Sequence, residues 1–305
     1  MVGIRSALII GGTGSLGKEL INQLLHKHVN INITVLSRCE HKQQALKKLY
    51  PKVRFVLGDI RDAQSLSPWF KYQDAVFHVA ALKAVDHVEE NPIESVKTNI
   101  LGTINVAQCA IENSVRHCVF SSTDKAVDPL NVYGNCKAIS EKILHEHNRN
   151  QKMTKFIIYR WGNICASNGS AIPYFIECLK NKKPVPITSL EMTRFWITLD
   201  LAVDYVLSSF FLPHKHGVVL IPPFMKSAKV IDVISCLAEM LHIKDYQTEV
   251  IGLRRGEKLH ECLTSMHAPD SISSETCERL TDSELVSLLY KAINPMGRPK
   301  LERVK

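Results

Sequence analysis

Through the first half of the chain, apolar runs of strand length alternate with segments whose apolar positions recur at helical spacing. The runs at 7–10, 33–36, 54–56, 75–78, 117–120 and 156–159 predict strands. The periodic segments predict helices over 15–27, 41–49, 92–113 and 132–149. Such alternation implies right-handed strand–helix–strand units and an α/β fold on a doubly wound parallel sheet. Ligands of such sheets collect at the carboxyl ends of the strands. Beyond residue 165 the alternation becomes irregular, with prolines at Pro173, Pro184, Pro186, Pro222 and Pro223. This predicts a larger domain over 1–165 and a smaller mixed α/β lobe over 166–305. Some strands and helices of the second segment are expected to return to the first domain.

The opening stretch MVGIRSALIIGG ends in Gly-Gly-Thr-Gly, not in a small-residue cleavage site, and reads as a buried strand. No apolar run approaches the roughly 18 residues of a membrane span, so no membrane partner is expected. GGTGSLG, residues 11–17, follows the first predicted strand and opens the first predicted helix. Gly11, Gly14 and Gly17 permit a tight turn and close approach of backbone to a pyrophosphate, whose charge rests on the helix N-terminus. Their position between strand and helix makes this a dinucleotide site of the Rossmann kind. Leu36 ends the second strand, where sites for NAD usually carry an acid. This chain has Ser37 and Arg38 there, with Lys42 one turn into the next helix. Those cations suit a 2′-phosphate, so NADP is the expected cofactor. Asp59, in LGDIRD, suits either a hydrogen bond to the adenine amine or a helix cap.

SSTDKAVDPLNVYGNCK occupies 121–137, and it puts Tyr133 and Lys137 one turn apart on a single helix face. A lysine ammonium and the nicotinamide's positive charge favour tyrosinate, lowering the phenol from about 10 towards neutrality. The phenolate then takes a hydroxyl proton while hydride leaves the same carbon. That pair leaves two neighbours unexplained. Asp124 and Lys125 close a strand just upstream, at the end of the sheet where ligands bind.

Composition narrows the class of protein only slightly. With 45% hydrophobic and 22% charged residues, the chain is an ordinary globular sequence, not a disordered one. A net charge of +8 suits either nucleic acid or a small substrate carrying phosphates. The clusters Lys180, Lys182, Lys183 and Arg298, Lys300 are short and lack interleaved aromatics, so no nucleic-acid partner is expected. Nine cysteines without a C-x-x-C pair point to reduced thiols and a cytoplasmic location. His145/His147 and His214/His216 are two apart, which does not bring both rings to one helix face, and no metal is expected.

The glycine motif together with Tyr-x-x-x-Lys resembles the extended short-chain dehydrogenase/reductase superfamily, over most of the chain. Within it, several segments are similar to the soluble, configuration-inverting UDP-N-acetylglucosamine 4,6-dehydratases. They are AALK (80–83), KTN (97–99), the 121–137 stretch, RWGN (160–163), NGSAIP (168–173), MTRFWIT (192–198) and GLRRGEKLHE (252–261). Retaining sugar dehydratases commonly place Asp-Glu at 124–125, and membrane-attached relatives carry Met in place of the tyrosine. The chain departs from the pattern in a shorter segment after His260, in Trp161 where tyrosine is common, and in Arg255 where proline is common. These departures leave substrate identity open.

The resemblance implies a tightly bound NADP recycled within each turnover, contacted also by Thr13, Ser15, Leu16, Ile60, Ala80 and Ala81. It implies oxidation at sugar C4 with Tyr133 as base and Thr123 holding the hydroxyl. Lys125, its pKa depressed by burial and neighbouring positive charge, would then remove the C5 proton, and a protonated Asp124 would donate to the departing C6 hydroxyl. Hydride return to C6 and reprotonation of C5 from the opposite face would invert C5. For the UDP-sugar, the resemblance implies Arg194 and Arg254 on the diphosphate and Glu257 on the ribose. It implies Asn163 on the diphosphate or sugar and Asn99 as support behind the active site. Lys83 and His87 would face either the sugar or solvent. A homodimer or higher homo-oligomer, pairing through 92–113 and 132–149, is implied too. Two other readings stay open. A UDP-sugar 4-epimerase or 4-ketoreductase needs the tyrosine but has no use for Asp124 and Lys125, and a non-catalytic NADP-binding regulator often loses Tyr or Lys.

Overall fold

The structure is a computed structural model that describes residues 4–28, 30–165, 167, 169–212 and 219–293. The His214/His216 pair, the Arg298/Lys300 cluster and Asn168 lie outside the described residues. The six apolar runs become six strands: β1 (Ser6–Ile10), β2 (Asn32–Ser37), β3 (Arg54–Leu57), β4 (Ala75–His78), β5 (His117–Ser121) and β6 (Lys155–Tyr159). Between them run α1 (Ser15–Lys27), α2 (Glu40–Leu49), α3 (Ala63–Phe70), α4 (Val85–Glu90), α5 (Pro92–Ser95), α6 (Gly102–Glu112) and α7 (Val132–Asn150). Later come β7 (Asn163–Ile164), α8 (Ala171–Lys180), β8 (Val185–Ile187), β9 (Thr193–Ile197), α9 (Leu199–Ser209) and β10 (Val219–Leu220). β11 (Lys226–Lys229), α10 (Val230–Met240), β12 (Thr248–Val250) and α11 (Asp282–Ile293) complete the described order.

The main sheet has the order β10-β6-β5-β4-β1-β2-β3, parallel throughout. Both faces are covered, so its central strands are apolar in nearly every position. Within them the two-residue period still sorts side chains. Ala7 and Ile9 face Leu20, Ile21 and Leu24 of α1 and Val203 and Val206 of α9. Leu8 and Ile10 face Leu66 and Phe70 of α3, Val106 and Ala110 of α6 and Leu144 of α7. α9 and β10 thus return from beyond residue 165 to the main sheet. The remaining later elements build their own core, where α8, α10 and α11 enclose Ile172, Val233, Ile234, Leu237 and Leu289. β9 joins β11 and β7 in a second sheet, and β8 pairs with β12.

Two elements depart from the sequence pattern. α3 is a short helix started by Asp62, whose carboxylate accepts from the backbone N–H groups of Gln64 and Ser65. The predicted helix over 92–113 is not continuous: α5 and α6 are joined by a π-helical stretch, Val96–Leu101. Widening the ladder there frees the Asn99 carbonyl, which instead accepts from Thr103 Oγ1 at 2.7 Å and Ser140 Oγ at 2.8 Å. The π stretch therefore ties this helical segment to α7, the element that carries Tyr133.

Candidate active site

A cleft of about 1090 Å³ opens at the carboxyl ends of the main-sheet strands, between them and the later elements. One end is built by the β1–α1 loop. Gly11, Thr13, Gly14, Ser15, Leu16 and Gly17 line it; the N-cap Gly14 carries no capping side chain, and the first turn of α1 holds no acid. An uncapped helix N-terminus facing a cleft suits a dinucleotide pyrophosphate, so the residues present fit the cofactor expected there. Ser37, Arg38 and Lys42 line the adjoining wall, as do Ile60, Ala80 and Ala81. Gln43 fixes the strand end by donating to both the carbonyl and Oγ of Ser37.

Asp59 is not on that wall. Its carboxylate is held by the Arg61 guanidinium, with Nη2 at 2.6 Å and Nε at 2.9 Å, and Asp62 supplies the helix cap. The cap role therefore falls to Asp62, and the Asp59 carboxylate is engaged by Arg61, with Arg38 Nη1 3.9 Å from it.

The 121–137 stretch forms the floor. β5 ends at Ser121, Thr123 starts a short 3₁₀ turn over Asp124–Ala126, and Asn131 caps α7 by accepting from the Gly134 N–H at 2.7 Å. Thr123, Lys125, Tyr133 and Lys137 line the cleft. Asp124 does not: it is fully buried behind them. Its Oδ1 accepts from Thr123 Oγ1 at 3.0 Å and from Lys125 Nζ at 3.1 Å. Its backbone N–H donates to the carbonyl of Trp161 at 2.8 Å, and the indole of Trp161 donates to Ser121 Oγ at 3.1 Å.

One electrostatic expectation is reversed. Lys125 was expected to have a depressed pKa. Burial does lower it, but Asp124 and Glu261 outweigh burial and the opposing charge of Arg194, raising it above the usual lysine range. Glu261 Oε1 stands 3.2 Å from Lys125 Nζ, so the ammonium is clasped by two acids. The expectation for Tyr133 rests on a lysine ammonium and the nicotinamide's charge together. Of the protein's own groups, burial and Asp124 push it up to about 12, against the lowering effects of Lys125 and a hydrogen bond with Thr123. Lys137 lies under the site: its Nζ donates to the Ser121 carbonyl at 2.8 Å and sits 4.2 Å above the Phe120 ring. Burial brings Lys137 down to about 8, against Glu141 and Cys136. The cation acting on Tyr133 here is Lys125.

At the other end of the cleft, the expected substrate cations are already engaged. Arg194 is buried and donates to the carbonyls of Thr193, Lys258 and Leu259, with Glu257 at 3.8 Å. Arg254 pairs with Glu257 at 3.1 Å and Asp86 at 3.0 Å. Glu257 also accepts from Thr188 Oγ1. These residues line the cleft with Asn163 and Lys83, whose Nζ reaches Ser167 Oγ at 3.2 Å. His87 is exposed on α4 and lies off the cleft. Asn99 lies off it too. Its Oδ1 accepts from the Leu82 N–H and its Nδ2 donates to the Leu82 carbonyl, both at 2.9 Å, so it braces the wall from behind.

Glu261 lines the cleft 3.2 Å from Lys125, and reading the sequence did not single it out. It belongs to GLRRGEKLHE, but nothing local in that motif marks the acid as facing a lysine in a loop 136 positions earlier. Three residues of the motif grip the 121–137 stretch. The Gly256 carbonyl accepts from Asn131 Nδ2, Lys258 Nζ donates to the Val127 carbonyl, and Glu261 takes Lys125.

Residues 7–282 match the family described as "Polysaccharide biosynthesis protein". The chain belongs to that family, within the extended short-chain dehydrogenases/reductases. It is 40% identical over 266 residues to a Campylobacter jejuni protein named UDP-N-acetylglucosamine 4,6-dehydratase (inverting), covering 86% of this chain and 78% of the relative. It is 38% identical over 269 residues to a Rickettsia bellii protein named UDP-glucose 4-epimerase, with the same two coverages. The X-ray structure of Pen from Bacillus thuringiensis superposes with a TM-score of 0.86 at 30% identity, over 94% of this chain and 97% of that one.

Proposed function

We propose that the chain is a UDP-N-acetylglucosamine 4,6-dehydratase that uses NADP and inverts C5. The observation carrying this reading is Asp124 hydrogen-bonded to both Thr123 and Lys125 beside Tyr133. An epimerase or simple reductase needs the tyrosine but has no use for that acid and amine. The identity to the Campylobacter jejuni dehydratase supports the same reading.

A bound NADP would accept the C4 hydride and return it at C6. The uncapped start of α1 would hold its pyrophosphate, and Arg38 and Lys42 its 2′-phosphate. Tyr133 takes the C4 hydroxyl proton once cofactor charge lowers its pKa. The resting Lys125 is an ammonium, so it becomes a base by passing one proton to Asp124, to which it is already hydrogen-bonded. That shift neutralises both groups and needs no proton from outside. Lys125 Nζ then removes the C5 proton, the C5–C6 double bond forms and the C6–O bond breaks. Asp124 does not line the cleft, so its proton reaches the leaving hydroxyl through Thr123 Oγ1, which gives its own proton and takes Asp124's. Water leaves, the triad returns to ammonium and two carboxylates, and a solvent-derived proton reaching C5 from the opposite face would balance the hydride returned to C6 and invert C5. Arg194, Arg254 and Glu257 at the far end receive the UDP moiety, with Arg254 exchanging Asp86 for phosphate oxygens.

The test is incubation with UDP-N-acetylglucosamine in deuterated water without added reductant, followed by mass and proton NMR. Loss of one water with one deuterium at C5 is the expected result, and the ring coupling constants report inversion. The second reading, a UDP-sugar 4-epimerase, is favoured by the Rickettsia bellii relative and by the charged resting state of Lys125. A C4 epimer with no loss of water would establish it instead.

A further inference from the structure

Glu261 comes from the far side of the cleft, lines it, and is 3% exposed. Its Oε1 is 3.2 Å from Lys125 Nζ. Its Oε2 is buried without a hydrogen-bond partner among the described residues, with Lys258 Nζ at 3.8 Å. The Glu261 N–H is fixed by Ser274 Oγ at 2.9 Å, and Ser274 in turn is hydrogen-bonded to Thr193. A buried carboxylate is costly unless a cation compensates it, and here Lys125 does so most closely. This clasp is not needed to hold the two parts of the chain together, because Asn131–Gly256 and Lys258–Val127 already join them.

We infer that Glu261 is a positioning residue for the elimination step, holding Lys125 Nζ at the cleft wall and stabilising the ammonium that forms when Lys125 takes the C5 proton. The inference rests on the dehydratase reading above. Its proton balance follows directly. Before elimination the group holds a neutral amine, a protonated Asp124 and the Glu261 carboxylate. Afterwards it holds an ammonium and two carboxylates, the proton on nitrogen having come from C5 and that of Asp124 having left with water. Glu261 keeps its negative charge throughout, so it strengthens Lys125 as a base without exchanging a proton. The charged or titratable groups facing Lys125 are Asp124, Glu261, Arg194 and Tyr133, and Lys258 faces Glu261. Removing the Glu261 charge leaves one acid against Arg194, and the amine loses its proton more readily.

The experiment compares wild type, Glu261→Gln and Glu261→Asp, each loaded with NADP and UDP-N-acetylglucosamine. C4 oxidation is followed by cofactor reduction in single turnover, and elimination by water loss and C5 deuterium uptake across a pH series. Glu261→Gln is expected to eliminate water roughly tenfold or more slowly, a larger loss than any in its C4 oxidation. The acidic limb of its elimination profile should shift to lower pH. Glu261→Asp keeps the charge and should keep the limb where wild type has it, even where its rate falls. A Gln profile superposing on wild type would overturn the inference. So would equal losses in both variants with neither limb moved, the mark of a merely structural residue. If Glu261→Gln does not fold, the Asp variant decides: a shifted limb despite a retained carboxylate counts against the inference. A wild type that eliminates no water would instead overturn the functional reading itself.

Discussion

The side-chain amide of Asn131 donates to the carbonyl of Gly256 at 2.8 Å, while its Oδ1 caps helix α7 through the Gly134 N–H. One residue thus starts the helix bearing Tyr133 and fastens it to the segment bearing Arg254, Glu257 and Glu261. The two roles separate by substitution. Asn131→Asp keeps the capping oxygen but replaces the donor to Gly256 with an acceptor. It should raise KM for the UDP-sugar while leaving the thermal midpoint near that of wild type. Asn131→Ala loses both roles and should also cost about 1 kcal/mol of stability. Steady-state kinetics and thermal unfolding of the two variants make the comparison.

Gly134 meets the same loop from the other side. A Cβ at this position would lie 2.1 Å from the Lys125 carbonyl oxygen. Backbone cannot yield there without moving either α7 or the Asp124–Ala126 turn. Gly134→Ala removes no reacting group, yet it should lower kcat roughly 100-fold, the scale of a misplacement near 1 Å. Dinucleotide binding at the β1–α1 loop should survive, because that loop is remote from the clash. Cofactor titration alongside turnover checks both halves.

Strand positions and the cofactor loop were legible because their signals are local. The continuous apolar run of β1 and the glycines before α1 need no knowledge of distant chain. The π stretch at 96–101 was not, since its cause is the demand of Thr103 and Ser140 for the Asn99 carbonyl. Nor was the charge on Lys125. Burial and adjacent cations argue for a lowered pKa, but Asp124 beside it and Glu261, 136 positions away, together reverse that argument. The ion pair of Asp59 was hidden for a subtler reason. Arg61 stands two residues away, but spacing alone does not say that its side chain turns back onto the acid. Contacts across the fold decide charge states, and pattern along the chain does not contain them.

Lys137 gives a pH dependence of stability that is separate from turnover. Burial lowers it to about 8 in the folded chain, below the 10.5 of an unperturbed lysine. Between those values the unfolded chain binds more protons than the folded one, so stability rises with pH across that window. Below pH 8 the buried ammonium carries its full cost. Lys137→Met has no such group. The stability of wild type relative to Lys137→Met should therefore increase from pH 8 to 10.5, by on the order of 3 kcal/mol. Denaturant titrations at the two ends measure the difference, and a flat difference would mean that Lys137 is not held at a lowered pKa.

Arg38 bears on the choice of cofactor. Its side chain is half exposed at the end of β2, lines the cleft, and has Asp59 at 3.9 Å, too far for a hydrogen bond. Arg61 holds that carboxylate far more closely, at 2.6 Å, which leaves the Arg38 guanidinium available to a phosphate. A 2′-phosphate distinguishes NADP from NAD, and a guanidinium fork matches its oxygens. Arg38→Ala should weaken NADP binding roughly tenfold or more, since tenfold corresponds to about 1.4 kcal/mol and a charged hydrogen bond exceeds that. NAD binding should change little, because NAD has no phosphate at that position. Calorimetric titration of both dinucleotides into both proteins is the measurement. Equal weakening of the two would show that Arg38 holds something common to them, and the preference for NADP would then have to come from Lys42 or be abandoned.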